Sequence, residues 1–309
     1  MHDTVSVIIP CYKQAGFLSD AIESVLAQTH PHVEIIVVDD GSPDDTSDVA
    51  LRYPGVRCIR QRNQGLSAAR NTGIRESTGD FLVFLDADDR LIPNALETGL
   101  KSFRRNPDAA VVVGKHRVIS AEGLPVPTAE LLTVEKDHFV ELLRGNCKIA
   151  CPASVMYQRR VFDDIKGFNT SLKAAEDYDL YLRIAQKFAM ACHRNVVAEY
   201  RHHGDSMSSN QKLMLEQVTS VLRDQLERLG GNTEYEEACR TGLDFFQRLY
   251  RIPIILESMR TAARKRDWSG TLRDMLLLLW SDPRVFTETM GRKVRRVISQ
   301  RLRSSYLAR

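Results

Sequence analysis

Short apolar runs recur along the first hundred residues, and each is followed by a stretch in which apolar positions return every three or four residues. VSVIIP at 5–10 is the first run, and between Phe17 and Gln28 the apolar positions are Leu18, Ala21, Ile22, Val25 and Leu26. The run suits a strand buried on both faces, the spaced positions an amphipathic helix. The alternation continues with EIIVV at 34–38, a helix opened by Asp44, Asp45 and Thr46, and a strand at 56–60. A helix from Ala68 to Glu76, with an early end at Gly73, then leads into FLVFL at 81–85. Strands alternating with helices to about residue 110 predict an α/β fold with a doubly wound, mostly parallel sheet.

Two of these runs end in acid. EIIVV leads into Asp39 and Asp40, and FLVFL into Asp86, Ala87, Asp88 and Asp89. In a doubly wound sheet both clusters emerge at the carboxyl rim, where such sheets bind ligands. Extended geometry puts Asp86 and Asp88 on one side, about 6 to 7 Å apart at Cα, with Ala87 and Asp89 on the other. Two hard oxygen donors at that spacing can share one divalent cation and leave positions open for a diphosphate. Acids after strands also suit plain turns and helix caps.

Further along, Glu176 and Asp177 open a segment with Leu180, Tyr181, Ile184 and Phe188 at helical spacing, and residues 196–201 read as a strand ahead of His202 and His203. Residues 121–152, with Pro125, Pro127 and a helix from Lys136 to Arg144, are expected to shape a second side of the cleft. Helices are expected at 212–229, 235–266 and 270–303, with interruptions at Pro253 and Pro283.

At 309 residues and 43% hydrophobic, the chain can bury a sizeable core. No run suits a signal peptide or a spanning helix, so a cytoplasmic location is expected. Six cysteines, at 11, 58, 147, 151, 192 and 239, show no Cys-x-x-Cys pair and read as reduced thiols. The formal charge of +3 is unevenly spread: residues 240–309 hold 16 Lys/Arg against 6 Asp/Glu, and the remainder 27 against 34. RDMLLLLW at 273–280 precedes RKVRRVISQRLR at 292–303, six basic residues without an acid. That pairing fits either peripheral contact with an anionic membrane surface or a helical subdomain with a solvated basic face.

The blocks SVIIPCYKQ (6–14), AIESVLAQTH (21–30), EIIVVDDGS (34–42), QGLSAARNTGI (64–74) and GDFLVFLDADD (79–89) resemble the family 2 glycosyltransferases of the GT-A fold. Gly167 and Phe168, EDYDLYLR (176–183) and YRHHGDSMS (200–208) are similar to the family's acceptor-side signatures, so the resemblance covers residues 4–210. It implies a metal-dependent, inverting enzyme that moves a sugar from a nucleotide diphosphate, most simply a UDP-sugar, to a hydroxyl of a glycan, lipid-linked or other acceptor. Cell-surface polysaccharide or glycoconjugate synthesis is the implied setting. The implied organisation is a GT-A domain at 1–210, with a nucleotide-sugar half at 1–110 and an acceptor half at 111–210, and a basic helical extension at 211–309.

Residue by residue, the resemblance makes Pro10, Tyr12, Asp39, Asp40, Gly65, Arg70 and Asp86 donor contacts, with Asp40 the better partner for the base ring. Asp86 and Asp88 look like the DxD pair for Mn2+ or Mg2+, Asp88 binding the metal directly and Asp86 reaching the ribose or the metal. Arg70 is read either against the phosphates or paired with Asp39, and Asn71 as a tie from its helix to a neighbouring loop. Asp177 matches the general base, with Glu176 an acceptor or positioning contact. Tyr200, Arg201, His203, Ser206 and Ser208 match the last block, which makes His203 a third metal or diphosphate contact or an organiser of its loop. Gly204 and Asp205 stand where members often carry Pro-Gly.

Other classes fit less well. A dinucleotide-dependent oxidoreductase needs Gly-x-Gly-x-x-Gly after the first strand, and PCYKQAG at 10–16 lacks it. A phosphatase using Asp-x-Asp would have Thr or Val where Arg90 stands. A non-catalytic nucleotide-binding, membrane or nucleic-acid adaptor built on the basic tail leaves the acidic rim and Glu176/Asp177 unexplained, and no nucleic-acid partner is expected.

Overall fold

The structure is a computed structural model that describes residues 3–128, 137–146, 149–204, 207–287 and 289. Lys136, Cys147, Asp205, Ser206 and the basic run 292–303 lie outside the described residues, as does the side chain of Ser208. The chain runs β1 (Val5–Cys11), α1 (Ala15–Leu26), β2 (Val33–Asp39), α2 (Thr46–Leu51), β3 (Val56–Arg60), α3 (Leu66–Glu76), β4 (Phe81–Phe84), β5 (Arg90–Leu91), α4 (Ala95–Arg105) and β6 (Ala109–Ile119). It continues through β7 (Pro125–Val126), α5 (His138–Leu143), β8 (Val155–Gln158), α6 (Arg160–Asp164), α7 (Glu176–Ala185), β9 (Ala189–Arg201), α8 (Gln211–Arg228), α9 (Thr233–Arg264) and α10 (Trp268–Ser281).

One sheet in the order β3-β2-β1-β4-β8-β6-β9-β5 organises the molecule, with β7 paired to β6. The neighbours β3, β2, β1 and β4 are parallel, and so are β6 and β9; β8 runs antiparallel between β4 and β6. Alternation along β1 explains why the run reads as wholly apolar. Val5, Val7 and Ile9 face one helical layer with Leu18 and Ile22, while Ile8 faces the other with Ile36, Leu82 and Phe84. The register pairs Cys11 with Asp39 and Ile8 with Phe84, so the acids after β2 and β4 share one rim.

The expected elements up to β4 are present, with α1 and α3 starting two residues earlier than their patterns suggested. Gly73 does not end α3 early. A side chain there would meet Ile8 Cγ2 at 2.2 Å, so the glycine lets the helix lie close on β1. Pro253 does not interrupt α9; it lies on an exposed face of the 32-residue helix, where a missing N–H leaves no buried group unsatisfied. Pro283 begins a new helical turn, with Asp282 Oδ1 accepting from the backbone N–H groups of Arg284 and Val285. Among the described residues the five cysteines are free thiols.

The C-terminal helices share the interior of the sheet domain. Val218 and Leu222 of α8 and Ala238, Cys239 and Phe246 of α9 cluster with Leu142, Leu143 and Tyr181. At Gly242 an added Cβ would stand 1.9 Å from the Leu143 carbonyl oxygen, because α9 lies directly on the end of α5. Gly242→Ala is therefore expected to push α9 outward and lower the unfolding free energy by about 1 to 3 kcal/mol or more, measured by urea titration.

Candidate functional site

The carboxyl rim opens into a cleft of about 820 Å3. Pro10, Tyr12, Asp40, Gly65, Arg70, Asp86, Asp88, Glu176 and Asp177 all line it. Asp39 does not. It is fully buried, with Oδ1 accepting from the Ser42 N–H at 2.7 Å and Oδ2 from the Ser47 hydroxyl at 2.5 Å. Successive side chains on a strand point to opposite faces, so once Asp40 faces the cleft its predecessor is turned into the fold. Asp39 organises the turn after β2, which leaves Asp40 as the member of the pair that faces the cleft. Asp40 Oδ2 accepts from the Gly65 N–H at 2.8 Å and Oδ1 from the Gln64 N–H at 2.9 Å. Gly65 has φ +89°, which glycine tolerates, and the turn it makes starts α3 beside the cleft.

After β4 the chain forms a turn in which the Asp89 N–H donates to the Asp86 carbonyl at 3.0 Å, in place of the continued extended strand expected there. The sidedness holds: Asp86 and Asp88 face the cleft, while Ala87 and Asp89 are buried. Burial raises the Asp88 carboxyl, and the charge of Asp86 raises it further. Asp89 is raised well above the usual carboxylate range by burial and then by Asp88 and Asp86.

Arg201 holds this turn in place. Its N–H donates to Asp89 Oδ1 at 2.8 Å, its Nε to the Asp88 carbonyl at 2.7 Å, and its Nη2 to Asp20 at 2.7 Å. His203 follows on the same loop, with Nε2 2.8 Å from Asp88 Oδ2 and its ring 5.0 Å from that of Phe17. His202 lines the cleft. The sequence pattern brought Arg201 into view only as a matching letter; a long cation after a buried strand gives no sign of which carbonyls it will reach.

Arg70 is 1% exposed and is paired with neither Asp39 nor open solvent. Its Nη2 lies 2.6 Å from Asp86 Oδ1 and its Nη1 2.6 Å from Glu176 Oε1, while the guanidinium stacks 5.1 Å from the Phe168 ring. The expected pairing with Asp39 fails because Arg70 projects from α3 beneath the cleft floor, toward β4 and α7. Burial opposes its charge, but Asp86 and Glu176 outweigh that and keep the guanidinium above its ordinary pKa. Asn71, the next residue, exchanges two hydrogen bonds of 2.8 Å with the backbone of Phe168, the tie expected of it.

Glu176 begins α7 and is spent on Arg70. Asp177, beside it, accepts at 2.7 Å from the N–H of Tyr178, its neighbour. Burial, followed by the Glu176 charge, pushes the Asp177 carboxyl up to about 7, with Arg70 and the Tyr178 N–H holding it lower. A carboxylate near neutrality at the edge of a cleft is suited to taking a proton. Burial, then the charge of Asp177, also pushes the Tyr250 hydroxyl up to about 12. Tyr250 belongs to α9 and lines the cleft with Phe246, Met214 and Val218. Their helices were expected to form an extension beyond the cleft, so this apolar wall was not anticipated. Leu142, Ile149, Ala150 and Pro152, from the segment 121–152, line it too.

Among the described residues no ready-made cage of three His, Cys, Asp or Glu side chains is present. Asp86 and Asp88, with His203 beside Asp88, are the residues that would hold a divalent cation at this turn. The Asp86 charge raises the Asp88 carboxyl, and a divalent cation shared by the two would relieve that repulsion, with the His203 imidazole in contact with Asp88 beside it.

The sequence pattern of Glycosyl transferase family 2 matches residues 6–166, more than half of the chain. The chain belongs to that family. As a glycosyl transferase of family 2 it is 31% identical over 73% of its length to a chondroitin synthase of Escherichia coli, of which it spans 33%. It is also 31% identical to an E. coli UDP-Glc:alpha-D-GlcNAc-diphosphoundecaprenol beta-1,3-glucosyltransferase, WfgD, with 72% of this chain and 87% of that one covered. The chain thus spans about a third of the length of the chondroitin synthase and most of the glucosyltransferase. Among solved structures, S. aureus TarS 1-349 in complex with UDP-GlcNAc superposes with a TM-score of 0.59 at 16% identity, covering 90% of this chain and 91% of that one. The mannosyltransferase PcManGT from Pyrobaculum calidifontis, in complex with GDP-Man and Mn2+, gives 0.62 at 16% identity, covering 94% and 79%. Both share the GT-A fold with this family 2 chain. The family match ends at residue 166, ahead of Glu176, Asp177 and His203, and folding alone joins these residues to the matched donor side.

Proposed function

We propose that the protein transfers a sugar from a UDP-sugar to an acceptor hydroxyl with inversion, assisted by Mn2+ or Mg2+. The observation that carries the reading is the Asp86–Arg70–Glu176 bridge, which ties the acidic turn to the start of α7 and so holds Asp177 across the same cleft from Asp86 and Asp88. A single in-line displacement needs these two functions on opposite sides of the anomeric carbon and only one base.

In this reading Asp40 and the exposed Tyr12 ring receive the base of the nucleotide, and the turn at Gly65 leaves room beside it. Asp86, Asp88 and His203 would hold the cation, which supplies charge neutralisation for the leaving diphosphate when bound. Asp177 accepts the proton of the acceptor hydroxyl. Glu176, engaged by Arg70, positions Asp177 and does not compete for that proton. The wall of Met214, Val218, Phe246 and Tyr250 gives the acceptor an apolar and aromatic surface, which suits sugar faces and the apolar part of a lipid-linked acceptor. The names of the chondroitin synthase and the diphosphoundecaprenol-dependent glucosyltransferase support a polysaccharide or glycoconjugate product. We place the enzyme in the cytoplasm, peripheral to the inner face of the membrane.

A panel of nucleotide sugars incubated with the protein and manganese, read by mass spectrometry, is expected to show release of UDP from one sugar donor. Calorimetry should show UDP binding that needs the metal. Asp88→Ala is expected to weaken that binding roughly 10- to 100-fold while leaving the fold intact, since removing a crowded carboxyl relieves repulsion at the rim. Metal-independent binding, unchanged in Asp88→Ala, would remove the metal from the reading.

A further inference from the structure

Helix α10 is packed with its less apolar side inward. The side against the protein carries Gly270, Thr271, Asp274 and Leu278. The opposite side presents Trp268, Leu272, Leu276, Leu277, Leu279 and Trp280 to solvent, with Trp268 69% and Trp280 92% exposed. Residues 268, 272, 276 and 280 recur every fourth position and form one stripe about 18 Å long. A contiguous apolar face of this size on a surface helix marks a site of association.

We propose that this face docks on the surface of an anionic phospholipid bilayer. Three observations favour lipid. Tryptophans stand at both ends of the stripe, and tryptophan prefers the boundary between headgroups and acyl chains. Arg248 and Arg251 of α9 line the groove of about 730 Å3 beside Leu272 and Leu276, at the level where lipid phosphates would lie. Asp244 also lines that groove, whereas Asp274 is buried and paired with Arg273 at 3.2 Å. Finally, the sequence beyond α10 includes the run at 292–303 with six basic residues and no acid. Among the described residues no helix is long and apolar enough to cross a membrane, so the face would lie in the interface, along its plane. The inference rests on the proposed membrane location and names the element responsible for it.

The chain's two tryptophans are both on this face, so intrinsic fluorescence reads the proposal directly. Emission of the full chain is expected to shift to the blue on adding vesicles of phosphatidylcholine with phosphatidylglycerol, and hardly at all with phosphatidylcholine alone. Higher salt should reduce the shift, because exposed charges are screened. Leu272→Glu with Leu276→Glu keeps both reporters and the buried residues Gly270, Thr271, Asp274 and Leu278, and is expected to weaken partitioning about tenfold or more. Manganese-dependent UDP binding in the same variant should be unchanged, which separates failure of the docking face from failure of the transferase reading. An absent shift, an equal shift on neutral vesicles, or undiminished vesicle binding by the double variant would overturn the proposal. So would a concentration-dependent dimer that the double variant dissolves, since the face would then be an interface between copies.

Discussion

Asp177→Asn is expected to reduce turnover roughly 10²- to 10⁴-fold while leaving UDP affinity nearly unchanged. The substitution keeps the size of the side chain and its hydrogen bond from the Tyr178 N–H, and removes only the ability to take up a proton. The wild-type pH profile provides a second check. The Asp177 carboxyl is pushed up to about 7 by burial and by Glu176, and only the ionised form accepts the proton. Turnover should therefore rise with pH through about 7 and fall about tenfold for each unit below it. That limb should vanish from the residual activity of Asp177→Asn. If Glu176→Gln instead removes the limb and leaves Asp177→Asn active, the base is Glu176.

The second large effect belongs to Arg70. Arg70→Ala leaves Asp86 and Glu176 facing a void, and breaking a buried pair in this way is expected to cost about 3 to 5 kcal/mol of unfolding free energy, measured by urea titration without nucleotide. Arg70→Lys should recover only part of this, because one ammonium cannot reproduce two hydrogen bonds directed along a planar fork. Arg70 also lowers the Asp177 carboxyl through its charge, so in Arg70→Ala the rising limb of the pH profile should move to higher pH, and in Arg70→Lys, which keeps the charge, it should move less. A purely structural arginine would lower stability without moving that limb.

The donor side was readable in the sequence because its strands are buried on both faces, which leaves uninterrupted apolar runs, and because acids stand at the ends of two of them. The run before Asp86 located the turn, and a period of two sorted Asp86 and Asp88 from Ala87 and Asp89 even though the chain turns there. The resemblance put both Asp39 and Asp40 on the donor, whereas the same period of two leaves only Asp40 in the cleft. Arg70 was beyond such reasoning. Its partners lie 16 and 106 residues away in the chain, and a single arginine in an amphipathic helix reads as a surface residue.

The C-terminal region illustrates a different limit. Helical spacing located α8, α9 and α10, but periodicity does not say which side of a helix meets which surface. Phe246 and Tyr250 face the cleft because Gly242 lets α9 lie against α5, a dependence visible only once both helices are placed. In α10 the usual inference from amphipathicity is inverted, since four of its five leucines and both tryptophans face outward. The charge asymmetry of the chain pointed to the same region without identifying the helix.

The turn bearing Asp86 and Asp88 leaves β4 in the middle of the sheet and enters β5 at its far edge, where Arg90 lies opposite Glu199. During synthesis, strands β1 to β4 can pair as soon as the first 84 residues have emerged. The turn between them and β5 must wait for β9 and for Arg201, which clasps it from 112 residues downstream. Loop closure over such a distance is a late event in folding. A nascent or prematurely terminated chain would therefore carry strands β1 to β4 without the finished turn at Asp86 and Asp88.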